Sequence, residues 1–73
     1  MVRVIFEDEY HNRPLRMFMR MRQLTIPNGM RVYIYSKNEE DCGWWEVQEQ
    51  RIGIGRSLLT RVTQFFTMSR VYS

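Results

Sequence analysis

The chain has 73 residues, of which 44% are hydrophobic and 26% charged, and its net charge is +3. This length allows one domain at most, and the composition excludes an intrinsically disordered chain. The single cysteine excludes an internal disulfide, no apolar run approaches the roughly 18 residues of a membrane span, and the first residues lack a signal-peptide layout, so we expect a soluble protein of the cytoplasm or nucleus without membrane association.

Arginine dominates the basic residues, with ten Arg against one Lys. Its planar guanidinium binds phosphates and carboxylates and stacks on aromatic rings. Aromatic residues reach 14% and alanine is absent. Because aromatic and β-branched residues favour strands and alanine favours helices, we expect a mostly β domain.

The first half of the chain predicts two strands. Residues 2–7 form the first strand, and residues 8–14 have loop composition. Residues 15–26 alternate as a strand does, with a helix beginning near Pro14 as the alternative. One face of this strand is predicted to carry Leu15, Met17, Met19 and Met21, and the other Arg16, Phe18, Arg20 and Arg22.

The middle of the chain predicts a hairpin. Pro-Asn-Gly at 27–29 is a tight-turn signal. In chain order, the elements are the turn 27–29, a strand at 30–36, a turn at 37–43, a strand at 44–52 and a glycine bend at 53–55. Trp44 and Trp45 are adjacent on the second strand, so one indole is expected in the core and the other at the surface.

The last segment has helical spacing. Leu58, Leu59, Val62, Phe65 and Phe66 fall at offsets of 0, 1, 4, 7 and 8, which is typical of an amphipathic helix. Ser57 suits an N-cap. We therefore predict a short helix at 57–67, with a strand as the alternative.

The motif NGMRVYIYSKNEEDCGWWEVQ resembles the Tudor-like (Agenet) domains of the fragile X protein family. That family has a strand of the form G-[DM]-x-V-x-V-[YF]-[ST]-[RK], then an acidic turn and C-G-W-W. The residues that fit in order are Gly29, Val32, Ile34, Tyr35, Ser36, Lys37, Cys42, Gly43, Trp44 and Trp45. A second, weaker resemblance is to SH3 domains. Both imply a small five-stranded barrel, here residues 1–56, followed by the helix.

The resemblance also implies an aromatic binding patch. In both families the first tryptophan of the pair lines the binding side, which is Trp44 here. Tyr33 and Tyr35 lie on one face of the preceding strand and extend the patch, because aromatic faces attract cations and stack nucleobases. The acidic turn could clamp a cationic or methylated side chain of a protein partner. Its members are Glu39, Glu40 and Asp41.

A basic strand face predicts a second kind of ligand. Charge for phosphates and a ring for a base suit single-stranded RNA. The residues of this face are Arg16, Phe18, Arg20 and Arg22.

Catalysis has little support in the sequence. His11 is the only histidine and Cys42 the only cysteine, too few for a metal site or an oriented nucleophile–base pair. We expect a non-catalytic binding module, without cofactor or metal, that binds a protein partner or RNA. The alternatives are an SH3-like binder of Pro/Arg-containing peptides, or an assembly protein that docks on another chain. The docking residues would be Leu58, Val62, Phe65 and Phe66.

Overall fold

A computed structural model describes residues 1–57 and 60–72 of the chain, with the side chains of 54–57, 60 and 61 left undescribed. Five strands form one curled, half-barrel sheet, which confirms the mostly β prediction. In chain order they are β1 (Val2–Asp8), β2 (Arg13–Arg20), β3 (Arg31–Ile34), β4 (Gly43–Ser57) and β5 (Thr60–Arg70), with a 3-10 turn at Glu39–Asp41.

The order of strands across the sheet is β2-β1-β5-β4-β3. β1 and β5 run parallel, and the other neighbours are antiparallel. β2 and β3 are thus the two edge strands. The curl of the sheet brings them together, so that the Arg16 side chain on β2 reaches the backbone oxygen of Tyr35 just beyond β3.

The core lies on the concave face of this sheet. Alternate residues of β1 point into it because side chains of a strand alternate between faces. It is built from all five strands and from the segment 21–30, which supplies Leu24 and Ile26. The fully buried members are Val4, Ile34, Val47, Phe66 and Met68.

The predicted C-terminal helix is wrong, because residues 60–70 form the central strand β5. β5 pairs with β1 on one side and β4 on the other. Its core face includes the buried Gln64, whose amide group exchanges two hydrogen bonds with the backbone of Leu24 at 2.7 and 2.9 Å. A polar residue on the core face breaks the apolar alternation that would have indicated a strand.

The described residues of the predicted docking stripe lie on both faces of β5. Val62 packs against the core and Phe66 is fully buried, whereas the half-buried Phe65 lies on the opposite face with the guanidinium of Arg51 over its ring at 3.8 Å. Leu58 lies outside the described residues. The described members therefore do not share one exposed face.

The strand predicted at 15–26 ends earlier than expected, and the face predicted to bind RNA turns toward the core at Phe18. β2 ends at Arg20, and its pairing with β1 shifts between Phe6 and Glu7, which leaves Leu15 as a bulged extra residue. Beyond the bulge Phe18 turns inward, with its ring 5.7 Å from that of Phe6. The methionines predicted to share one face with the buried Leu15 are exposed. They are Met17, Met19 and Met21.

The turn at 27–29 is present as predicted. The Met30 N–H donates to the Pro27 oxygen at 3.2 Å, and Gly29 has φ +90. This φ is one that glycine adopts at little cost. The turn leads directly into β3 and so fixes the start of the β3–β4 hairpin, which carries the candidate site.

Candidate nucleic-acid interface

The two tryptophans point to opposite faces of β4. Trp45 is 3% exposed, and its Nε1–H donates to the Asp41 oxygen at 2.8 Å, whereas Trp44 is 53% exposed. In the β3–β4 register Trp45 lies opposite Val32 and Trp44 opposite Tyr33. Because directly opposed residues on one face are within contact distance, this register alone brings Tyr33 and Trp44 together.

Three aromatic rings form a continuous exposed cluster, which we call the ring cluster: Tyr33, Tyr35 and Trp44. The Tyr33 ring lies 5.5 Å from that of Trp44 in an edge-on arrangement and 4.8 Å from that of Tyr35. Tyr33 is the central and least exposed ring at 45%, while Tyr35 is 71% exposed. Tyr33 therefore supports its two neighbours, and Tyr35 and Trp44 offer the more accessible ring faces.

The three residues of the predicted acidic clamp differ in exposure. Asp41 is buried, and both oxygens of its carboxylate accept hydrogen bonds from the Arg13 guanidinium. These hydrogen bonds lower the pKa of Asp41 below its ordinary value, against the opposing effect of burial. Glu39 and Glu40 remain exposed. Asp41 thus neutralises Arg13 inside the chain.

A second arginine holds the same turn from the other side. Arg70 at the end of β5 donates from Nη2 to the Cys42 oxygen at 2.9 Å and from Nη1 to the Asp41 oxygen at 3.3 Å. Gly43 has φ +138, and a Cβ there would lie 2.8 Å from the Arg70 guanidinium. The turn that precedes Trp44 is therefore held between Arg13 and Arg70. No local sequence signal indicated this role, since both partners are about 28 residues away along the chain.

The predicted basic face is only partly assembled. Arg16 donates from Nη1 to the Tyr35 oxygen at 3.1 Å and lies 5.5 Å from the centre of the Phe18 ring. Phe18 packs against the core and is not a free stacking ring. Arg20 is exposed at the end of β2, and Arg22 is exposed beyond it. Arg16 is thus the one member of this set that the described contacts link to the ring cluster.

A cavity of about 370 Å³ opens where Arg16 meets Tyr35. It lies between β2 and the segment that follows β3. Its lining residues are Leu15, Arg16, Met17, Tyr35, Ser36 and Lys37. One residue of the predicted aromatic patch, Tyr35, and one of the predicted basic strand, Arg16, therefore line the same cavity.

A second cavity, of about 310 Å³, lies on the other side of the acidic turn. Its buried acid Asp8 has an oxygen 2.8 Å from His11 Nδ1 and accepts the Tyr10 N–H at 3.0 Å. Burial alone would raise the pKa of Asp8, but these hydrogen bonds outweigh it and lower that pKa. The ion pair between Arg13 and Asp41 joins the start of β2 to the acidic turn. The lining of the cavity is Asp8, Tyr10, His11, Arg13, Glu40, Asp41, Trp45, Arg70 and Tyr72.

Neither protein-family models, nor curated proteins, nor solved structures give a match to this chain. In the part of the chain that the structure describes, no three His, Cys, Asp or Glu side chains cluster as metal ligands. The same residues include no helix that is long and apolar enough to cross a membrane.

Proposed function

We propose that this chain is a non-catalytic module that binds single-stranded RNA across the ring cluster and the adjacent cationic residues of the first cavity. The observation that carries the proposal is the hydrogen bond from Arg16 to the Tyr35 backbone oxygen. It places a guanidinium beside the backbone of Tyr35, whose ring is exposed, and Lys37 follows two residues later. Such a combination provides a stacking surface for a base and positive charge for its phosphate.

The open geometry of the rings favours an unpaired strand. Base–aromatic stacking contributes about 1–3 kcal/mol per base and needs a base face that is free of a duplex neighbour. Tyr35 and Trp44 are exposed and flank Tyr33, so the cluster can accept two bases of one strand. Duplex RNA presents its phosphates but not its base faces, so we expect it to bind more weakly.

A protein partner with a cationic or methylated side chain fits the same rings less well. A cation cage combines aromatic faces with a carboxylate that is available to the ligand. Asp41 is buried and bound to Arg13. The exposed Glu39 and Glu40 do not line the cavity beside Tyr35, which carries Arg16 and Lys37 instead. Positive charge at this position repels a cationic ligand and attracts a phosphate.

For the fold, the proposal extends to a small barrel of Tudor or SH3 type that acts in the cytoplasm or nucleus. The half-barrel curl of the five-stranded sheet and the acidic turn before the paired tryptophans support it. No catalytic role is assigned to the chain.

The test is fluorescence anisotropy with a labelled single-stranded RNA of mixed sequence and with the same RNA as a duplex. Trp44→Ala should weaken single-strand binding about tenfold, as expected for one lost stacking contact. Tyr72→Ala removes an exposed ring outside the ring cluster, 87% exposed against 53% for Trp44, and serves as the control with little effect. A methylated-lysine peptide that binds more tightly than RNA would contradict the proposal.

A further inference from the structure

The cavity beside Tyr35 has the size of a ligand pocket and lies between two segments of the chain. Its volume of about 370 Å³ falls in the usual range for pockets that hold one small molecule. One wall is β2, which contributes the buried Leu15 and the exposed Arg16 and Met17. The other wall is the segment after β3, which contributes Tyr35, Ser36 and Lys37.

Arg16 makes two contacts within the chain. Its Nη1 donates to the Tyr35 oxygen at 3.1 Å, and its guanidinium carbon lies 5.5 Å from the centre of the Phe18 ring. A guanidinium has five N–H donors in a fixed fork, so one bond to a carbonyl leaves several donors for an anion. An arginine fixed in this way loses less side-chain entropy when it binds phosphate.

From these walls we infer that the cavity is a subsite for one nucleotide, which rests on the proposed function. The base lies between the Tyr35 ring and Met17, and its phosphate lies between Arg16 and Lys37. Trp44 belongs to the neighbouring base position, because its ring is linked to Tyr35 only through Tyr33 and it does not line the cavity. The site therefore has one position with a phosphate contact and one with stacking alone.

A single nucleotide should therefore bind this cavity without the rest of an RNA strand. Adenosine monophosphate engages both walls, adenosine lacks the charged contact, and inorganic phosphate lacks the stacked one. We expect the monophosphate to bind at about millimolar affinity and at least about tenfold more tightly than adenosine or phosphate alone. Amide titration of the labelled whole chain should move the signals of Arg16, Tyr35, Ser36 and Lys37.

Single substitutions test the two cations separately. Arg16→Gln and Lys37→Gln should each weaken monophosphate binding about fivefold or more, since each removes a charge-assisted contact to the phosphate. Arg22→Gln removes the same charge from an exposed position beyond β2 and should change the affinity by less than about twofold. Unchanged amide spectra outside the site establish that each variant is folded.

The outcomes separate this inference from the proposed function. Trp44→Ala should weaken oligonucleotide binding and leave monophosphate binding unchanged. If adenosine binds as tightly as its monophosphate, or the shifts centre on Trp44, or no binding occurs up to about 20 mM, the nucleotide subsite is overturned, even where the oligonucleotide binds. If the monophosphate binds at Arg16 and Lys37 but single-stranded RNA does not bind, the proposed function fails and the subsite stands. RNA with and without a terminal phosphate shows whether the cavity binds a phosphate at the end of the strand or one within it.

Discussion

Arg16 Nη1 lies 3.1 Å from the backbone oxygen of Tyr35, a residue 19 positions later in the chain. This contact joins the two edge strands of a sheet whose order is β2-β1-β5-β4-β3. It also places a guanidinium beside the backbone of Tyr35, which carries the most exposed ring of the ring cluster. The functional proposal depends on this juxtaposition, which arises from the curl of the whole sheet.

Alanine substitutions of the two adjacent tryptophans should differ strongly in how much they destabilise the protein. Trp45→Ala should reduce the free energy of unfolding by about 3–5 kcal/mol because it empties a buried core position. Trp44→Ala, at an exposed position, should change that free energy by less than about 1 kcal/mol. Urea denaturation followed by circular dichroism gives both values. A Trp44→Ala variant that loses as much stability as Trp45→Ala would show that both indoles are core residues.

Two glycines have a positive φ, Gly29 before β3 and Gly43 after the acidic turn, and alanine should destabilise the protein at both. Gly29→Ala should cost about 1–2 kcal/mol in stability through backbone strain alone, since nothing lies within 4 Å of the added Cβ. Gly43→Ala should cost more, because φ +138 lies farther than φ +90 from the left-handed region that L residues adopt, and its Cβ would also displace the end of the Arg70 side chain 2.8 Å away. Thermal and urea unfolding of the two variants test this order. Equal losses would contradict it.

Gln64 should stabilise the protein more than a larger apolar side chain would. Gln64→Leu leaves the N–H and the oxygen of Leu24 without their hydrogen-bond partner, and the expected loss is about 1–3 kcal/mol. Gln48→Leu is the control, because within residues 1–57 and 60–72 the Gln48 amide donates to the side chains of Glu46 and Ser69 rather than to the backbone. A Gln64→Leu variant more stable than the wild type would contradict the assigned role of this amide.

Stability should fall at acidic pH because of Asp8 and Asp41. The pKa values of both carboxyls lie below the ordinary value of 3.8 in the folded chain. A lowered folded-state pKa gives stability that is present above the unfolded-state pKa and is lost as pH falls through the folded-state pKa. The loss should therefore begin near pH 4 and grow below it. Urea midpoints at several pH values test this, and Asp41→Asn should be less stable at pH 7 with a shallower acid dependence.

Local patterns predicted the β3–β4 hairpin and its two tryptophans. The Pro-Asn-Gly turn and the alternation after Gly43 depend on neighbouring residues only, so they predicted one buried and one exposed indole, while the choice of Trp44 as the exposed one rested on the family resemblance. The Tyr33–Trp44 contact then follows from the register of one hairpin. The arrangement of the ring cluster was accessible to sequence reasoning for this reason.

Long-range pairing decided the features that the sequence did not reveal. β5 carries Gln64 on its core face, and its fit between β1 and β4 cannot be inferred from its own spacing. The bulge at Leu15 exchanges the faces of β2, because one extra residue inverts the alternation that follows it. Asp41 was expected to be free for a ligand, but its partner Arg13 lies 28 residues earlier.

The most direct test of the central claim is a double-mutant cycle on single-stranded RNA affinity with Arg16→Gln, Tyr35→Ala and the double variant. If the guanidinium and the ring bind one nucleotide together, each single change weakens binding. The two effects should then differ from additivity by at least about 0.5 kcal/mol. Affinity that is unchanged by either substitution would contradict the account, and strictly additive losses would show that Arg16 and Tyr35 act on RNA independently.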